Sequence, residues 1–153
     1  MDYMEALKII ISGTIGTIGF SLLFKSNPRR TGFNALGGMI TCIVYVVASE
    51  IFDQEFLQNF FPALVATAYA EIMARVLKAP ATPILACSII PLVPGGKLYY
   101  TTYYFVVGQM SLFKYTLTET LRIAAGLAVG IIVISVIVNE VNSHKFKTIL
   151  DVD

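Results

Sequence analysis

Four apolar runs, each close to the length that crosses a lipid bilayer, and a fifth that is interrupted, leave this chain few choices of fold. The uninterrupted runs cover about Met4–Phe24, Phe33–Phe52, Phe56–Leu77 and Leu121–Val138. A helix needs about 20 mostly apolar residues to traverse hydrocarbon, and only helices and closed barrels satisfy every backbone N–H and C=O there. Composition agrees: 56% of the 153 residues are hydrophobic and 14% charged, against about a quarter charged in soluble domains. The predicted fold class is all-α, a polytopic helical membrane protein of about five transmembrane helices. One transmembrane domain is expected over 1–140, with a polar C-terminal tail over 141–153. A net charge of +1 supplies no field for nucleic acid. Cys42 and Cys87 fall inside apolar runs without CxxC spacing, so small buried hydrophobes are expected rather than a disulfide or metal site. Asp2 and Glu5, not a basic stretch, precede the first run and no A-x-A site follows it. That run is expected to stay in the membrane instead of being cleaved as a signal peptide.

The interrupted run, about Thr82–Met110, contains Ile89-Ile90-Pro91-Leu92-Val93-Pro94-Gly95-Gly96-Lys97. Two prolines three apart remove backbone donors and clash with the preceding turn. Gly95 and Gly96 allow positive φ and close approach of bare backbone. Broken backbone at membrane depth persists only where it is buried in protein or lines a watery cavity, and transporters place substrate at such discontinuous helices. A plain proline kink, or a turn between two spans, is the competing reading. Pro91, Pro94, Gly95, Gly96 and Lys97 are the candidate substrate-binding residues. Tyr99, Tyr100 and Tyr103 join them as hydroxyl donors beside the break, although an aromatic belt at headgroup depth explains a tyrosine-rich run equally well. Glu71, within the last two turns of the third run, is a further candidate, either for a substrate ammonium or for a coupling proton. It also stands four residues from Arg75, a spacing that permits an ion pair on one helix face.

Small residues recur at helical spacing. Ser12, Gly16 and Gly19 share one face of the first run, Ala63, Ala66, Ala70 and Ala74 one face of the third, and Gly126-x-x-x-Gly130 marks the last. Each is expected to be a helix-packing face. Lys25, Arg29 and Arg30 follow the first run, Arg75 and Lys78 end the third, and Lys145 and Lys147 are in the tail, whereas Glu50, Asp53 and Glu55 form an acidic connection. Positive charge favours the cytoplasmic side. A broken run that crosses once therefore gives five spans with the tail in the cytoplasm; a re-entrant hairpin arm would put the tail outside. His144, alone in the tail, is expected to be solvated.

Residues 70–81 (Ala-Glu-Ile-Met-Ala-Arg-Val-Leu-Lys-Ala-Pro-Ala) running into Ile89–Gly96, together with Phe24–Arg30 and Ala35-Leu36-Gly37-Gly38, resemble the threonine/serine exporter family. The likeness covers the chain to about Gly130 and is closest to the small, YjjB-like subunit, which corresponds to the C-terminal half of one-chain exporters. The resemblance implies a secondary exporter in the plasma membrane, proton-driven, moving threonine and serine. It also implies a separately encoded larger membrane subunit that completes the machine. Some such pairs are associated with dicarboxylates such as succinate, which gives a second substrate class. A subunit that only assembles the transporter is a further alternative, with the break as a docking elbow. Enzymatic chemistry is not expected, because no Ser/His, HExxH, paired-aspartate or phosphate-cradling spacing occurs. No cofactor is implied.

Overall fold

Breakers and left-handed caps set the helix boundaries in the computed structural model, which describes residues 3–150, with side chains described for 3–141. Six helices follow in order: α1 Tyr3–Leu23, α2 Pro28–Ile51, α3 Glu55–Leu77, α4 Ala81–Ile89, α5 Gly95–Val106 and α6 Met110–Leu150, with a 3-10 turn over Ile90–Leu92 between α4 and α5. Two lysines end helices in the same way. Lys25 and Lys78 both adopt φ 49°, and the amides after them return to Ser21 O at 3.1 Å and Ala74 O at 2.9 Å. This closes the last turn and leaves a cation beside the carbonyl-rich helix end. Pro28 opens α2 at its first turn, where a missing N–H costs nothing.

α1 and α2 are antiparallel in a register read from three contacts. Ser21 accepts from Asn34 Nδ2 at 2.8 Å. A Cβ on Gly38 would meet the Thr17 side chain, and one on Gly13 would meet Cys42 Sγ. The face of α1 that packs is therefore Gly13, Thr17 and Ser21. The expected face is not used: Gly16 and Gly19 have open space where a Cβ would stand. Period alone permits both stripes, and the β-carbons and hydroxyls of Thr17 and Ser21 fill the groove beside Gly38 better than bare glycine does.

The other two expectations hold. Ala63, Ala66 and Ala70 are fully buried on α3. A Cβ on Gly130 would lie 2.7 Å from Phe60 O, and one on Gly126 would strike Phe56 O. The G-x-x-x-G face thus brings α6 against the α3 backbone, the two helices running parallel.

α4 packs against both α2 and α3. The chain bends 59° between Ala81–Leu92 and Gly95–Val106. Ala81 lies one short turn from the C-terminal end of α3, while Lys97 reaches Glu55 at its N-terminal end. The broken segment therefore travels the length of α3 once, and with α1, α2, α3 and α6 it makes five helical passages. Four helices are individually long and apolar enough to cross a membrane, five if the bent pair is counted as one span. The protein is a polytopic helical membrane protein. α6 begins at Met110 rather than near Leu121, because Gly108 (φ 77°) reverses the chain at once and α5 folds back on α6. Thr101 and Thr120 meet at 3.3 Å, and the Phe105 and Phe113 rings at 5.2 Å. At the other end the helical backbone of α6 continues to Leu150, through most of the expected tail; the His144, Lys145 and Lys147 side chains lie outside the described residues.

Candidate functional site

The first turn of α5 borders a cavity of about 610 Å³ walled by α1, α2, α3, the proline break and α6. Its position follows from the two prolines. Pro91 sits in the 3-10 turn and Pro94 caps α5 at φ −76°, ψ 52°, so neither position continues the α4 ladder and the new helix starts at an angle. As in any helix, the amides of the first turn, here those of Gly96 and Lys97, have no intrahelical acceptor. They carry partial positive charge at the cavity wall. Gly95 and Gly96 do not take positive φ; among the described residues Gly108 is the only glycine that does. Their contribution is the missing side chain, for a Cβ at either position would enter open space.

Lys97 crosses the cavity margin between two acidic side chains. Its Nζ donates to Glu55 Oε1, at the first residue of α3, and to Glu119 Oε2 on α6 at 3.2 Å. The three side chains are 19–35% exposed, half-sheltered at the mouth of the cavity. The trio carries a formal charge of −1. Asn59 and Tyr45 also face the cavity, and Asn59 Nδ2 donates to Glu55 O at 2.8 Å, which orients the start of α3. Ser12, Gly13, Gly16 and Cys42 also line it, Gly13 next to Pro91, and Ile9, Ile90, Leu92, Val93 and Ile123 supply apolar wall.

Of the residues nominated from sequence, Pro91, Pro94, Gly95, Gly96 and Lys97 come together here. Glu71 does not: it pairs with Arg75 at 3.7 Å on its own helix, near the C-terminal end of α3 and the opposite end from Glu55. Tyr99, Tyr100 and Tyr103 are 47–66% exposed on the outer surface of α5 and are not among the residues lining the cavity. Tyr100 and Tyr104 stack at 6.2 Å, as their i, i+4 spacing predicts.

Sequence reasoning missed Glu55, Glu119, Asn59 and Tyr45. Glu55 reads as part of an acidic connection. Glu119, two residues before an apolar run, carries the one available signal, an acid at a span margin. Both cysteines are buried and free, and no group of metal-ligating side chains occurs among the described residues.

The α5 first turn, Lys97 and its partner Glu55, Asn59 and Tyr45 border the space, and Glu119 reaches Lys97 from beside it. A family model described as "Threonine/Serine exporter, ThrE" matches residues 9–137. Comparisons with curated proteins and with solved structures return no match.

Proposed function

The chain belongs to the threonine/serine exporter family, and on that premise we propose that the cavity at Lys97 binds a hydroxylated amino acid for export through the plasma membrane. The observation that carries this reading is the Glu55–Lys97–Glu119 trio beside the open first turn of α5. The substrate carboxylate docks on the Gly96 and Lys97 amides, the arrangement that helix N-termini offer to anions. Its ammonium takes the place of Lys97 Nζ between Glu55 and Glu119, while Lys97 turns to the carboxylate. Asn59 and Tyr45 are placed for the side-chain hydroxyl. One of the two acids, relieved of its lysine, carries the coupling proton. The proline break and glycines nominated from sequence keep their role, and Glu55 and Glu119 assume the one first considered for Glu71.

Charge favours an amino acid over a dicarboxylate. A zwitterion adds nothing to the formal −1 of the trio, whereas a second substrate carboxylate about 4 Å from Glu55 or Glu119 would meet about 4 kcal/mol of repulsion at an effective dielectric of 20.

The chain is one half of the transporter in this reading. α1 and α6 both border the cavity, and the Gly16–Gly19 face of α1 stands open beside it. A second, larger membrane subunit closes that side. In this reading the cation-bearing ends of α1 and α3, away from the cavity, face the cytoplasm, the side that positive charge favours, and the cavity faces the outside.

Efflux of labelled threonine and of labelled succinate, from cells carrying the chain with and without the larger subunit, tests the proposal. Threonine efflux that needs both chains supports it. Succinate efflux overturns the substrate assignment, and efflux from the chain alone overturns the two-component assignment. A sharper check is Gly96→Ala. Because its Cβ meets nothing, the substitution is expected to leave the fold intact, with a gain of about 0.5–1 kcal/mol from reduced backbone entropy. It also screens the α5 amides, and the half-saturating threonine concentration should rise about tenfold in concentration-dependent efflux.

A further inference from the structure

The cavity ends on a floor formed where Gly13 of α1 meets Cys42 of α2 and Pro91 of the break. Beyond that floor the contact between α1, α2 and α4 differs in kind from the α3–α6 contact. The α3–α6 contact is built from Ala63, Gly126 and Gly130. The α1–α2–α4 seam contains Thr17, Ser21, Asn34, Cys87 and Ser88, every one at most 1% exposed.

Hydroxyls and an amide are an expensive way to pack helices that alanine and glycine pack well. Thr17 and Ser88 soften the expense by donating to carbonyls of their own helices, Gly13 O at 2.9 Å and Ile84 O at 2.9 Å. Asn34 does not. Its Nδ2 donates to Ser21, but its Oδ1 is buried and receives no hydrogen bond. An acceptor left so costs about 1–3 kcal/mol, and an orphaned buried group calls for an account of where it finds a partner.

We infer that this seam is the closed half of the translocation path, and that Asn34 is its substrate-contacting residue. The inference rests on the transport reading above. Cavity and seam are continuous: Gly13 and Cys42 belong to both, Thr17 against Gly38 follows, and Ser21 against Asn34 comes next, one turn apart each, toward the Lys25–Arg30 connection. When α1 parts from α2 and α4, the Thr17 and Ser21 hydroxyls and the Asn34 carbonyl oxygen line the opening. Asn34 Oδ1 then accepts a hydrogen bond from the ammonium or hydroxyl of the amino acid. On the Gly16–Gly19 face of α1 an added Cβ meets nothing within 4 Å, so among the described residues no close packing at those two positions opposes the movement.

One introduced cysteine staples the seam. Gly13→Cys places a thiol against native Cys42, and Cys87→Ala removes the competing thiol. In cells that export threonine, the oxidised Gly13→Cys/Cys87→Ala protein is expected to lose at least about 90% of efflux and to regain it on reduction. Equal efflux from oxidised and reduced protein, with the disulfide verified by mass, overturns the inference. Unsubstituted protein that folds with its larger subunit but exports neither threonine nor serine overturns the transport reading instead. A second measurement needs no introduced bulk. In Cys42→Ala protein, native Cys87 is the only thiol, and its reaction with a small membrane-permeant thiol reagent should quicken at least about tenfold when threonine is supplied. An unchanged rate in protein that exports threonine also overturns the inference.

Discussion

Lys97→Met is expected to abolish threonine efflux, by about a hundredfold or more, in a protein that still folds. Lys97 is about one-third exposed and links three helices through two carboxylates, so its removal takes no volume from a packed core. It does change the cavity's formal charge from −1 to −2. It removes one donor for a substrate carboxylate and takes away the cation that Glu55 and Glu119 share. A hydrogen bond to a charged group contributes about 1.5–3 kcal/mol, roughly one to two decades in rate or affinity, and the added repulsion acts in the same direction. The charge component separates from the contact component in Lys97→Met/Glu119→Gln. That pair restores the formal −1, and part of the lost efflux should return. Initial efflux rates, normalised to the membrane-inserted protein, give the answer. Wild-type rates from Lys97→Met would remove the cavity from the transport path.

The sequence carries much of this site and lacks the rest for a physical reason. The break is legible because proline acts locally: Pro91 and Pro94 lack amides wherever they are, and any helix ends near them. Lys97 is legible as the lone cation next to that break. Glu55 and Glu119 are not, because they are 42 and 22 residues from Lys97 in the chain. They reach it only through the parallel α3–α6 register, which the separate spacings of Ala63 and Gly126 do not specify. Glu71 stands one turn deeper than Arg75 in its apolar run, yet it pairs with Arg75 on its own helix. The stripes divide in the same way. On α3 and α6 the small residues mark the contact, whereas on α1 two overlapping periods compete and only tertiary packing selects Gly13, Thr17 and Ser21.

The register that assembles the site makes Gly126 and Gly130 the positions of largest structural effect. Gly126→Leu and Gly130→Leu are each expected to destabilise the protein by about 1–3 kcal/mol, the usual range for overpacking, with both values toward the upper end. The reason is the nature of the opposing atoms. A Cβ at Gly126 strikes the Phe56 carbonyl oxygen, and one at Gly130 lies 2.7 Å from Phe60 O and 2.8 Å from Ala63 Cβ. Backbone cannot rotate aside as a long side chain would, so α6 must move bodily away from α3. Glu119 lies two turns from Gly126 on the same helix, so that movement also draws its carboxylate from Lys97. The double variant should lose up to about 6 kcal/mol, enough to reach the lower end of the 5–15 kcal/mol of an ordinary domain, and accumulate poorly in the membrane. Each single variant should melt lower in detergent and export threonine more slowly. Gly16→Ala and Gly19→Ala are the matched controls: with no atom within 4 Å of the added Cβ, neither should lower the melting temperature. Should Gly126→Leu melt with the wild type, α3 and α6 would not be in the contact that sets Glu55 and Glu119 around Lys97.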